Sequence, residues 1–307
     1  MNKNKWMESL LPNTPLRNIN VPGSHDAGTW DIHACSPWNQ ARDDLASKFA
    51  KIARYTTPCT TVNYSKVQNL DLVDQFREGV RYFDLRVAKH IQDSKIQYRF
   101  THGLLGGSFL EGMKDLIEYS EKYPKEILIC DIRFIYGFEK KDHEVFQNDL
   151  VKMIGNRLAN SDVLNASSKL KKFWDLNKNI IVIYHSFTKY RFPHFWSPNT
   201  VTSLWPNTTN TDLAVQKMDD YINNLKTSNR WDKNPNTFYG LHATLTPDNL
   251  YVATHLWWST KKLARNLNKK MVDLFKNEWK DAKLSFVMYD VVEYPELAET
   301  IIKTNFT

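Results

Sequence analysis

The chain has 307 residues, 42% hydrophobic, 13% aromatic and 24% charged, a composition that can bury a sizeable core and excludes a disordered or fibrous protein. No apolar run reaches the roughly 18 residues of a membrane-spanning helix, and residues 1–11 hold no apolar core of signal-peptide length, so a cytoplasmic protein is expected. A formal charge of +7 and a pI near 9.1 suit an anionic partner, but the lysines are spread along the chain rather than massed in one block, which disfavours nucleic acid.

The first notable stretch is 20–30, Asn-Val-Pro-Gly-Ser-His-Asp-Ala-Gly-Thr-Trp. A short apolar run, Ile19 and Val21, is broken by Pro22 and Gly23, and the expected turn delivers His25 and Asp26 from a strand end. A lone histidine beside a turn is most often only a loop residue, so its weight depends on the rest of the chain. Residues 81–87 are rich in strand formers, and 98–101 can pair beside them before a turn at His102-Gly103. A helix follows over 111–122, with Met113, Leu116 and Ile117 at helical spacing and Pro124 as its stop.

The nearly continuous apolar run 126–132 predicts a strand covered on both faces, as in a parallel sheet. A helix over 143–158 leads to the next buried strand, 179–184, which ends at His185. Residues 189–211 lose all periodicity among Pro193, Pro198 and Pro206, and predict a long irregular excursion holding Trp196 and Trp205. Helix returns at 212–225 and strand at 238–245. Along 259–279, Leu263, Leu267, Met271 and Phe275 form a core stripe, with Lys261, Lys262, Arg265, Lys269 and Lys270 mostly on a solvated face. The strand 284–289 ends on Asp290, and 295–303 closes the chain as a helix.

About seven strands alternating with helices, with no repeat or linker-like segment, predict an irregular (β/α) TIM-type barrel as a single domain over 1–307. The three cysteines, Cys35, Cys59 and Cys130, have no paired spacing and read as reduced thiols. The sequons at Asn63, Asn165, Asn207 and Asn305 are weak against that, since such motifs recur by chance.

The candidate polar residues fall at strand ends: His25 and Asp26, Asp84 and Arg86, His102, Asp131 and Arg133, His185, and Asp290. In a parallel barrel these ends share the face where active sites are built. Two histidines beside carboxylates can divide general base and general acid between them, and a guanidinium suits a phosphate. The set therefore points to phosphodiester cleavage without a nucleophilic side chain, since neither Ser24 nor Cys130 lies in a nucleophile-elbow pattern. A hard-cation site of Asp26, Asp84 and Asp131 stays open, although Arg86 two residues after Asp84 would repel the ion.

Pro22-Gly-Ser-His25-Asp26, Arg81-Tyr-Phe-Asp84-Leu-Arg86 and Thr101-His102-Gly103, in that order, resemble the catalytic X domain of phosphatidylinositol-specific phospholipases C, and within it the X-domain-containing group made of that domain alone. The similarity continues through Glu126-Ile-Leu-Ile-Cys-Asp-Ile-Arg-Phe, Tyr184-His185, Trp205-Pro-Asn-Thr-Thr and Tyr289-Asp290. It implies that His25 is the base toward the inositol 2-hydroxyl, oriented by Asp290, and that His102, partnered by Asp26, protonates the departing diacylglycerol oxygen. Arg86 and Asp84 complete the catalytic set, and Arg133, His185, Trp205 and Asp131 bind the head group. Arg86 stands where calcium-dependent members carry an acidic ligand, so catalysis without a metal or other cofactor is expected. Arg133 stands where the X-domain-only group usually carries histidine. The expected partner is a phosphoinositide-containing membrane met transiently by a monomer, with Trp196, Trp205, Trp257 and Trp258 as rim candidates, most of them expected to be buried packing. The alternatives are a metal-dependent glycerophosphodiester or sphingomyelin phosphodiesterase on the same barrel and a phosphoinositide-binding protein without turnover.

Overall fold

The computed structural model describes residues 1–42, 57–186, 188–228, 230–282 and 284–306. Seven parallel strands among them carry the fold: β1 (Val21–Ser24), β2 (Tyr82–Gln92), β5 (Leu128–Tyr136), β6 (Ile180–Tyr184), β7 (Val201–Leu204), β8 (Phe238–Ala243) and β9 (Phe286–Tyr289). Two more, β3 (Lys95–His102) and β4 (Leu104–Ser108), extend β2 as an antiparallel flap. The ladder path is β6-β5-β2-β1-β9-β8-β7. Between β6 and β7 the described residues hold no ladder, and β6 is met there by a bridge from Ile183 to Trp196. The result is an irregular (β/α) TIM-type barrel.

Side-chain alternation along each strand sorts the interior by height. At the floor, Val21, Tyr82, Ile129, Ile181, Phe238 and Phe286 pack into one buried cluster with Trp6 and Leu16. The alternate residues, among them Phe83, Leu85, Leu128, Cys130, Val182 and Leu241, face outward into the cluster shared with the helices. Two to four residues above the floor the inward positions turn polar, which leads directly to the site. The helices follow their stripes: Thr260–Asn277 buries Leu263, Leu267, Met271 and Phe275, and its N-terminus is capped by Ser259 Oγ, which accepts from the Lys262 amide at 3.2 Å.

Four expectations change. Pro22 and Gly23 do not break the first strand but lie inside β1. The amides of Val21 and His25 donate to β9 (Ser285 O, 3.3 Å, and Tyr289 O, 3.2 Å), so alternation turns the Pro22 nitrogen toward β2, whose ladder begins only at Tyr82 opposite Gly23. Glycine is required at 23, because a Cβ there would stand 2.9 Å from Met288 Cγ. The strands β2 and β5 run on to Gln92 and Tyr136, well past the expected ends. The excursion 189–211 contains the strand Val201–Leu204, too short to show periodicity among the prolines. Finally, His102 reaches the site along an antiparallel strand, returned by the turn at Asp93 and Ser94, both at positive φ.

Candidate active site

Stepping two residues up from the floor reproduces the site: Tyr82 leads to Asp84 and Arg86, Ile129 to Asp131 and Arg133, Ile181 and Ile183 to His185, Phe286 and Met288 to Asp290, Val21 and Gly23 to His25. The same step from Phe238 and Gly240 leads to His242, and from Val201 to Ser203 and Trp205. His242 and Ser203 escape the motif-based reading, yet the period of two was a signal that could have found them.

On one side of the mouth, His25 Nδ1 lies 2.7 Å from Asp290 Oδ1, while its Nε2 lies 3.1 Å from Arg86 Nη2 and 3.5 Å from Asp26 Oδ2. Arginine can only donate, so Nε2 accepts and Nδ1–H donates to Asp290. Burial pulls this imidazole down, but Asp26 and Asp290 together outweigh it and leave its pKa raised. Arg86 Nε pairs with Asp26, and Arg86 Nη2 lies 3.4 Å from Asp84 Oδ2. Asp84 Oδ2 also accepts from the Asp26 amide at 3.1 Å. Burial would raise Asp84, but Arg86 and Arg133 hold it below the usual range.

The second histidine, His102, donates from Nδ1 to the Ser65 carbonyl at 2.9 Å and turns Nε2 to Asp26 Oδ2 at 3.4 Å. Burial and the Arg86 charge push the His102 pKa down to about 3, and burial lifts Asp26 to about 6. A proton taken up by this pair as pH falls through about 6 therefore sits on its carboxyl. Asp26 is not reserved for His102, as expected, but stands between the two histidines at nearly equal distance.

On the other side, Asp131 Oδ2 accepts from Tyr82 OH (2.5 Å) and Arg133 Nη2 (2.8 Å), and Asp131 Oδ1 lies 2.7 Å from His185 Nε2. Arg133 Nη1 reaches His242 Nε2 at 2.8 Å, which also meets Ser203 Oγ at 2.9 Å. The Arg133 and His185 partners overcome burial and hold Asp131 far below the carboxylate range. Burial and Arg133 hold His242 well below the imidazole range.

Calcium is the cation that the resemblance raises. Ligand atoms of His25, Asp26 and Asp84 lie within 4.8 Å of one another, but the Arg86 guanidinium stands among them and touches all three. Its charge already answers the two carboxylates, and a divalent ion beside it would be repelled. This donor set does not fit calcium.

No protein-family model matches the sequence. The chain is 28% identical to mouse PI-PLC X domain-containing protein 2 over 306 residues, covering 98% of this chain and 87% of the relative. It is 24% identical to the human protein 3 of that name, again over 98% of this chain and 93% of the relative. The chain is homologous to the PI-PLC X domain-containing proteins. Among solved structures, the phosphatidylinositol-specific phospholipase C of Staphylococcus aureus superposes with a TM-score of 0.69 at 19% identity, covering 99% of this chain and 98% of that one. The Listeria monocytogenes enzyme of the same name gives 0.67 at 18% identity over 99% of both chains. At such identities the structural likeness speaks for the fold.

Several supports of this site carry no charge and no motif. Buried Gln68 donates from Nε2 to the carbonyls of His25 (2.9 Å) and Tyr289 (3.0 Å) and accepts the Val292 amide at 3.1 Å, tying β1 to β9 at the mouth. Asn268 Nδ2 donates to the Asp290 carbonyl at 2.8 Å. Asp26 has φ 45° and Val291, just after Asp290, has φ 57°. For a β-branched residue this is strained backbone of order 1–3 kcal/mol, kept where neighbours hold it. Ser24 and Cys130 are buried, and burial pushes the Cys130 thiol up to about 12. Of the rim candidates, Trp196 is buried with its indole donating to the Ala159 carbonyl. Trp205, Trp257 and Trp258 are 52%, 85% and 39% exposed, so packing does not claim most of the four. Among the described residues no helix is long and apolar enough to cross a membrane.

Proposed function

We propose that the chain is a phosphodiesterase that cleaves phosphatidylinositol-type lipids to diacylglycerol and an inositol phosphate, without a metal ion. The single observation that carries this is Asp26 shared between two histidines, with Arg86 paired to that carboxylate and to His25. His25 Nε2 takes the proton of the inositol 2-hydroxyl, and Asp290 on the opposite ring nitrogen stabilises the imidazolium that forms. The freed oxygen bonds to phosphorus as the bond from phosphorus to the glycerol oxygen breaks, in line. Arg86 meets the phosphoryl oxygens whose charge grows in that transition state. The pair of His102 and Asp26 gives its proton to the departing glycerol oxygen, leaving diacylglycerol and a cyclic inositol phosphate.

Asp131, Arg133, His185 and Trp205 hold the head group. The protein works as a cytoplasmic monomer that visits membranes, where Trp205, Trp257 and Trp258 suit the interface because indoles favour it. The test is release of diacylglycerol and inositol phosphate from phosphatidylinositol micelles by purified protein. The wild type is expected to turn over phosphatidylinositol and to spare phosphatidylcholine. Equal, negligible release by wild type and His25→Ala would reject the proposal.

A further inference from the structure

The cleavage scheme leaves His242 without a task. It lies on β8, only 8% exposed, with its ring centroid 6.3 Å from that of His25 and set edge-on to it. Arg133 Nη1 meets its Nε2 at 2.8 Å. Guanidinium nitrogens have nothing to accept with, so Nε2 must be the unprotonated nitrogen and the ring proton sits on Nδ1. Burial and the adjacent Arg133 oppose a second proton. Nδ1–H has no protein acceptor among the described residues, although Nε2 has two neighbours. The residue stands at an inward position above Gly240, in the layer that carries His25, Arg86 and Arg133. A neutral ring is thus locked in one tautomer, with its donor left for something that enters the cleft.

We propose that His242 is a specificity-determining residue of this site, its Nδ1–H donating to a ring hydroxyl of the polyol whose neighbouring oxygen His25 deprotonates. The assignment rests on the phosphodiesterase function proposed above and narrows its substrate to a head group with an acceptor oxygen facing β8. A donor aimed at a hydroxyl rejects an analogue lacking it, because the buried donor is then left unpaired.

Two near-isosteres separate this role from that of a mere holder of Arg133. His242→Gln offers a carbonyl oxygen near the Nε2 position and nothing at Nδ1. His242→Asn offers an amide N–H near Nδ1 and withdraws the acceptor from Arg133. Phosphatidylinositol and analogues each lacking one ring hydroxyl other than the attacking one are assayed in detergent micelles, with thermal melting as the check on folding. The wild type should lose about tenfold in kcat/KM on one analogue. His242→Gln should lose about tenfold on phosphatidylinositol and nothing further on that same analogue, while His242→Asn stays nearer the wild type. Wild-type indifference to every such deletion would overturn the assignment. So would a His242→Gln variant equal to wild type or penalised alike on all analogues, or a His242→Asn variant that suffers the more. A wild type that cleaves no polyol diester would instead bring down the functional proposal and this one together.

Discussion

Arg86 and Arg133 stand on the neighbouring strands β2 and β5, on either side of Asp84 and each among carboxylates and histidines, yet their neighbourhoods do opposite things to a proton. Around Arg86, Asp26 is lifted to about 6 by burial, and His25 is raised by Asp26 and Asp290 against its own burial. Both groups are held above their ordinary values. Around Arg133, Asp131 is driven down, Tyr82 and Arg133 up, and His242 down, so each has a settled protonation state at any physiological pH. The difference lies in the pairing: Asp26 is shared between two histidines at 3.4 and 3.5 Å, whereas Asp131 is closed in by Tyr82, Arg133 and His185 at 2.5 to 2.8 Å. A loosely shared carboxyl can pass a proton on. One held by three close partners presents a fixed pattern of donors and acceptors, which suits recognition.

The sharpest way to break this comparison is to remove one histidine at a time from the Arg86 side. His25→Ala and His102→Ala should each cost about 10² to 10⁴-fold in kcat on phosphatidylinositol. A substrate whose leaving group needs no proton should restore much of the His102→Ala loss and none of the His25→Ala loss. Equal rescue of both would show that the roles of base and acid are wrongly divided.

On the Arg133 side the expected damage is to stability and head-group affinity. Asp131→Asn leaves a buried guanidinium short of its charge partner and should destabilise the fold by roughly 3 kcal/mol, seen as a lower denaturant midpoint and a raised KM. A carboxyl held below its unfolded value contributes stability that is full above about pH 4 and lost as pH falls through the folded value. The deficit of the variant should therefore be constant between pH 6 and 8 and shrink in acid. A deficit that changes across pH 6 to 8 would contradict the settled state assigned to this side.

The smallest expected effect is a displaced pH limb. Cleavage needs a proton on the pair of Asp26 and His102 and none on His25, and His25 holds its proton more tightly than Asp26 does. The plot of kcat/KM should rise through about 6, following Asp26, and fall above the raised His25 value. Asp290→Asn removes a carboxylate that raises His25, so the alkaline limb should move down by about one pH unit, with the acid limb in place. A slower enzyme with both limbs unmoved would leave Asp290 a packing role.

Much of this was legible in the chain because the barrel repeats one rule. Pro22-Gly-Ser-His25-Asp26, Asp84-Leu-Arg86, Asp131-Ile-Arg133, Tyr184-His185 and Tyr289-Asp290 each place a titratable residue near a recognisable apolar run, and those residues do converge. What stayed hidden lacked contrast with its surroundings. His242 and Tyr82 sit inside apolar strands where they resemble core residues, and Ser203 lies on a four-residue strand amid prolines. Ser65 acts through its carbonyl and Gln68 through a neutral amide, for which sequence gives no pattern. The sharing of Asp26 between both histidines depends on a left-handed backbone at that residue, which no periodicity announces.

The central claim is that Arg86, rather than a metal, answers the phosphoryl charge. Its most direct test is the initial rate of diacylglycerol release from phosphatidylinositol micelles by chelator-stripped protein, measured with and without added calcium or magnesium, for the wild type and Arg86→Lys. Full wild-type activity in chelator, unchanged by either ion, with a loss of about 10²-fold or more in Arg86→Lys, is the predicted result. Activity that disappears on chelation and returns with a divalent ion would contradict it.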